Sequence, residues 1–215
     1  MHVKWLNEPL KEIKGYNDLI ENIKKNITPV AATGVIDVQK SQIISAISKE
    51  FGRKGLIIAA DETEAKAIFN DLTLFGEKAV YFPSQDFIFY SADVHSSDIT
   101  KLRYQTIDMC LKNEVDFVCT TAEALLNRLM PKNKFIENIF EIKEGDIFVL
   151  DKLIQRLVYL GYERSDIVEG VGQFSVRGGI VDVFSPVEDT AVRIEFWDDE
   201  VDSLRLFDVV SQRSL

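Results

Sequence analysis

Two places in this chain combine residue types that could do chemistry. The first is Gly34-Val-Ile-Asp37-Val-Gln39-Lys40-Ser41. A phosphate loop of the form Gly-x-x-x-x-Gly-Lys-Ser/Thr cups phosphates with backbone amides. Its lysine reaches the terminal phosphates and its hydroxyl holds magnesium. Lys40 and Ser41 fit that pattern, but Gln39 stands where the second glycine belongs. A Cβ there opposes the positive φ and close backbone approach that glycine permits. Asp37 adds a carboxylate to the cup that an anion would enter. The stretch therefore reads as a degenerate phosphate loop that helps fold its domain, with no cofactor expected on Gly34, Gln39, Lys40 and Ser41. The strand at Val115–Thr120 runs into Thr121-Ala-Glu123 without the acidic pair that would hold magnesium, so no catalytic residue is assigned.

The second place is Arg164, Phe174 and Arg177 in an otherwise acidic region. An exposed aromatic between guanidiniums has the composition of a protein–protein hot spot, and these three residues are expected to bind a partner. Two weaker groups read as structural. His95 with Asp93 and Asp98 lacks converging ligands, since the chain has only two histidines. Ser96-Ser97-Asp98 instead suits the cap of a helix starting near Ile99. Asp198-Asp199-Glu200 and Asp202 read as a solvated hairpin turn, with no metal expected.

The elements that must carry these residues follow from periodicity. Leu19–Asn26 reads as the end of a helix and Ile27–Ala32 as a strand leading to Thr33-Gly34. Helices are expected at Gln39–Phe51, Thr63–Phe75, Ser97–Lys112 and Ala122–Met130. Strands are expected at Gly55–Ala60, Ala79–Phe82 and Val115–Thr120. Apolar strands alternating with helices predict a parallel sheet covered by helices, an α/β domain. After Pro131 the pattern changes. Lys132-Asn-Lys134 reads as a polar hinge, Ile136–Lys143 as a strand and Asp151–Leu160 as a helix. Three or more strands follow, one after the Gly178-Gly179 bend at Ile180–Phe184 and one at Val192–Trp197. The expected division is an α/β domain at 1–131, resumed at about 209–215, and an α+β domain at 132–208.

Composition narrows the function class. The 215 residues are 46% hydrophobic, enough for one large or two modest cores, and carry a net charge of −10. That balance argues against nucleic acid as the main ligand, because phosphate neutralisation needs lysine and arginine in excess. Lys11, Lys14, Lys24 and Lys25 are interleaved with Glu12, Asp18 and Glu21, the pattern of a solvated helix face. No apolar run is long enough for a bilayer, and the first residues lack a signal-peptide pattern. Cys110 and Cys119 have no metal-like spacing and read as buried, reduced thiols. A cytoplasmic location without membrane contact is expected.

Several spaced segments recur in an order that carries a family resemblance. They are Phe82-Pro-Ser-Gln-Asp86, Ser91 to Arg103, Gly161-Tyr-Glu-Arg164, Val176-Arg-Gly-Gly179, an apolar strand centred on Asp182, and Trp197-Asp-Asp-Glu-Val-Asp202. Leu206-Phe-Asp-Val-Val-Ser-Gln-Arg-Ser-Leu215 closes the set. Together they resemble the UvrB-like region shared by the excision-repair helicase UvrB and the N-terminal part of the bacterial transcription-repair coupling factor (Mfd). The resemblance covers about residues 80–215 well and the first third weakly, and the ending is closer to the coupling factor.

It implies a helicase-like domain with a degenerate phosphate loop and an inserted UvrB-type interaction domain. In this family the second domain docks onto UvrA, with arginines at the positions of Arg164 and Arg177. Where UvrB has a further arginine, this chain has Ser175. UvrB also carries a long aromatic hairpin used against DNA, where this chain has only Phe87-Ile-Phe89-Tyr90-Ser-Ala-Asp-Val94. The resemblance implies recruitment of UvrA rather than enzymatic activity for this chain. RNA polymerase, double-stranded DNA, ATP and magnesium would be bound by other domains of a longer translocase. The alternatives are the nucleotide-binding or damage-binding half of a UvrB-type helicase.

Overall fold

The computed structural model describes residues 8–85 and 93–215, with side chains of the latter stretch from residue 98 onward. Contacts divide the chain into two compact units, residues 1–84 with 106–127, and residues 85–105 with 128–215.

In the first unit, β1 (Gly55–Ala59), β2 (Ala79–Phe82) and β3 (Phe117–Thr121) form a parallel sheet in the order β1-β3-β2. Gly55 and Ala79 both register with Phe117. Helix α1 spans Tyr16–Lys24, α2 Asp37–Phe51 and α3 Glu62–Leu74. The start of α3 is set by Asp61, whose Oδ1 accepts the Glu64 N–H at 2.8 Å. Its apolar stripe, Ile68 and Leu72, packs on Phe117 and Cys119 with Ile44 and Ile57 beside them. A second cluster joins Leu10, Tyr16 and Ile20 to Ile43 and Ala46 of α2.

The strand expected at Ile27–Ala32 does not form. The segment has no place in the β1-β3-β2 order, Pro29 has no N–H to give a ladder, and Ile27 is left exposed. Local apolar character makes no strand without a hydrogen-bonding neighbour.

Helix α4 runs Asp93–Leu111, starting upstream of the cap expected at Ser96-Ser97-Asp98. Those residues lie inside its first turns, where each costs only about 0.5 kcal/mol of propensity. The side chain of His95 and the whole of Phe87–Tyr90 lie outside the described residues. After β3 comes the short α5, Ala122–Leu126, capped by Thr121.

The second unit is a six-stranded sheet in simple sequence order: β4 (Glu163–Arg164), β5 (Gln173–Arg177), β6 (Ile180–Val183), β7 (Ala191–Trp197), β8 (Glu200–Asp208) and β9 (Arg213–Ser214). Only β4–β5 is parallel. Helix α7, Leu150–Tyr159, lays Leu153 and Leu157 on Phe174, Val181, Ile194 and Val201. The segment expected as a strand at Ile136–Lys143 instead follows helix α6, Lys132–Asn138, into irregular backbone. Phe135 is buried and stacks on Tyr104 at 5.9 Å. The alternating run Ile136, Phe140, Ile142 concealed that contact. Residues 209–215, expected to rejoin the first unit, stay with the second, where β9 pairs with β8.

The β5–β6 connection has two residues. Gly178 has φ +61°, and a Cβ on Gly179 would lie 2.8 Å from the Phe196 carbonyl oxygen. Gly179 thereby lets β6 lie close against β7, its own carbonyl accepting the Phe196 N–H at 2.8 Å.

Candidate functional site

Around the expected phosphate loop, Gly34 has a positive φ of +75° and α2 begins at Asp37. The residues that would serve a nucleotide are engaged elsewhere. Lys40 Nζ lies 3.0 Å from both Asp37 Oδ1 and Glu64 Oε1, and the bonds from Glu64 and then Asp37 raise its pKa. Ser41 is fully buried and its hydroxyl donates to Asp71 Oδ2 at 2.8 Å. The Ser45 hydroxyl and Lys49 Nζ both engage Glu77. These side chains clamp α2 to α3 and to the turn after it. The carboxylates of Asp37 and Glu64 flank Lys40, and their negative charge opposes an anion at that lysine. Gln39, partly exposed near the helix start, supplies the Cβ that a phosphate cup would exclude.

The two faces of the second unit's sheet differ in chemistry, because side chains alternate along each strand. Phe174, Val176, Val181, Val183, Val192, Ile194 and Leu204 share the face under α7. On the other face Ser175, Asp182, Arg193 and Arg205 register across four successive strands. Arg193 binds Asp182 through a fork, Nε to Oδ1 at 2.6 Å and Nη2 to Oδ2 at 2.8 Å. That bonding raises the arginine's already high pKa. The same guanidinium lies over the Phe207 ring, 5.0 Å from its centroid. Asp182 has no exposed surface, and its Oδ2 also accepts from Arg177 Nη2. Next to this row, Phe207 joins Val168 and Ala191 in a small second core.

Arg164 and Arg177 stand on neighbouring strands, β4 and β5. Both are exposed and line one open depression with Glu163, Ser165, Asp166 and Val176. Phe174 does not join them. It has no exposed surface and belongs to the core under α7. The expectation of an exposed aromatic between two guanidiniums is thereby corrected. Phe174 sits mid-strand on the apolar face, whereas Arg177, three residues on, falls on the opposite face. Sequence reasoning also missed Asp182 and Arg193. A charged residue in each of two adjacent strands, Ile-Val-Asp-Val and Val-Arg-Ile, is the signal that points to them.

Ser175 is buried, and among the described residues its hydroxyl has no hydrogen-bond partner. Among the described residues no three His, Cys, Asp or Glu side chains group as a metal site, Asp198, Asp199 and Glu200 included. Cys119 is buried, and that burial pushes its thiol up to about 12. Cys110, expected to be buried, is exposed. Among the described residues no helix is long and apolar enough to cross a membrane.

Residues 140–215 match the UvrB interaction domain. Arg164, Arg177, Asp182 and Arg193 all lie within that UvrB interaction domain. The chain is 29% identical over 208 residues to the transcription-repair-coupling factor of Bacillus subtilis, covering 96% of this chain and 18% of that protein. It is 28% identical over 207 residues to the Staphylococcus aureus factor, covering 95% and 18%. It is 31% identical over 179 residues to the Mycobacterium bovis factor, covering 79% and 14%. The resemblance read from the motifs therefore stands. The chain spans less than a fifth of the length of these curated relatives.

Proposed function

We propose that this chain is the N-terminal module of a bacterial transcription-repair coupling factor and that it recruits UvrA to RNA polymerase stalled at DNA lesions. The observation carrying this reading is the pair Arg164 and Arg177, exposed on one depression at the edge of the UvrB interaction domain. Guanidiniums recognise carboxylates with two parallel hydrogen bonds, a geometry lysine cannot reproduce. UvrA would therefore present acidic side chains to this edge.

The first unit serves as scaffold, its Lys40 and Ser41 spent on Glu64 and Asp71. RNA polymerase, double-stranded DNA, ATP and magnesium belong to other domains of a parent translocase that displaces polymerase. The module works in the cytoplasm.

Titration calorimetry of this chain against purified UvrA tests the reading. Micromolar or tighter binding is expected, weakened at least tenfold by Arg164→Ala together with Arg177→Ala in a folded protein. Absence of binding by the folded wild type would overturn it. Thermal stabilisation by magnesium-ATP, abolished by Lys40→Ala, would point instead to a nucleotide-binding half-site.

A further inference from the structure

We propose that Asp182 is the positioning residue for Arg177, a buried carboxylate that holds the guanidinium at the depression in the orientation that meets a partner's carboxylate. The inference rests on the recruitment reading and adds a residue that never touches the partner. Asp182 has no exposed surface, so its charge must be met from within the fold. Arg193 meets it through the two-bond fork, and its own guanidinium is fixed against Phe207. Ser175, directly across from Asp182 on β5, makes no hydrogen bond to it, which leaves the carboxylate to the arginines.

Arg177 differs from Arg193 in both reach and exposure. It gives a single nitrogen, Nη2, to Oδ2, and its side chain is 46% exposed against 14% for Arg193. One carboxylate between two guanidiniums leaves a net positive charge, and only the Arg177 end of it faces solvent. Asp182 holds Nη2 of Arg177, and the half-exposed guanidinium keeps its other N–H groups for a partner. Arg164, across the same depression, makes no ion pair among the described residues. An arginine already held in one rotamer loses less freedom on binding than one that samples several. Asp182 thus makes Arg177 the rigid half of the pair.

The test compares wild type, Arg177→Ala, Asp182→Asn and the double variant for calorimetric binding to purified UvrA, with circular dichroism as the check on folding. Asp182→Asn should weaken binding roughly tenfold, and should add little once Arg177 is already alanine. A uniform structural loss would instead weaken both backgrounds alike, and that result, or unchanged or tighter binding by Asp182→Asn, overturns the inference. Nitrogen-15 NMR of the arginine side chains in the unbound wild type gives a second reading that needs neither the variant nor the partner. Separate, slowly exchanging Nη signals for Arg177 beside averaged ones for Arg164 support the anchoring, and averaged signals for both overturn it. Wild type that fails to bind UvrA while Arg177 remains anchored would sink the recruitment reading alone.

Discussion

Asp182 and Arg193 face each other across β6 and β7 and are joined by two hydrogen bonds of 2.6 and 2.8 Å, the carboxylate wholly inside the protein. Removing one member of such a pair strands the other in a low-dielectric setting, at a typical loss of about 3–5 kcal/mol. Arg193→Ala is therefore expected to lower unfolding stability by the low end of that range, about 3 kcal/mol, since Arg177 still gives Asp182 one hydrogen bond. Arg177→Ala should cost about 1 kcal/mol or less, because its side chain is half in water and Arg193 still neutralises Asp182. Urea unfolding midpoints of the two variants check the order.

Phe174 belongs to the core and not to the exposed edge that Arg164 and Arg177 line. Phe174→Ala should cost about 3–5 kcal/mol through the cavity it opens beneath α7, reducing or abolishing the folded population. Arg164→Ala should shift stability by no more than about 0.5 kcal/mol. Denaturation followed by circular dichroism separates the two. Equal, small effects would return Phe174 to the surface.

Acid stability should depend on Glu62. Its Oε1 accepts from the Ser84 hydroxyl at 2.7 Å and from the Ser84 N–H at 3.2 Å, and these bonds, the hydroxyl first, lower its pKa below 4.5. A carboxyl depressed in the folded state stabilises above its unfolded pKa, and that contribution disappears as pH falls through the folded value. Glu62→Gln should accordingly be destabilised relative to wild type at neutral pH, with the gap closing at an acid pH below the usual carboxylate range. Urea midpoints measured at both pH values decide this, and a constant gap would contradict it.

The two thiols should report on folding separately. Cys110 is exposed and should react with a thiol reagent in the native protein. Cys119 is buried on β3 with its thiol raised to about 12, so labelling should need denaturant. Mass spectrometry of the labelled peptides measures both. Native labelling of Cys119 would mean that the sheet opens around Phe117.

Much of the first unit could be read from periodicity. Gly55–Ala59, Ala79–Phe82 and α3 fall where the apolar runs place them. The failures share one cause. A strand at 27–32 needed a neighbour that the local residues cannot supply, and the run after Lys134 needed Tyr104, some 30 residues away, to reveal a helix.

The site followed the same division. Arg164 and Arg177 were legible as exposed side chains at the sheet edge, because charge favours the surface. Phe174 was not, since an aromatic beside arginines suits an interface and a core equally. Its burial depends on α7, which arrives from residues 150–159. Lys40 and Ser41 kept the letters of a phosphate loop while their atoms were committed to Glu64 and Asp71 on another helix.

The two-glycine connection between β5 and β6 has an effect far larger than its size. Side chains on a strand change sides at every residue, so sliding β5 by a single position would carry Arg177 beneath α7 and put Phe174 on the face of Asp182 and Arg193. The turn thus acts as a parity lock on the hairpin. A substitution at Gly179 that forces Phe196 aside would invert chemistry rather than merely loosen structure, exchanging the charged side of the sheet for the greasy one.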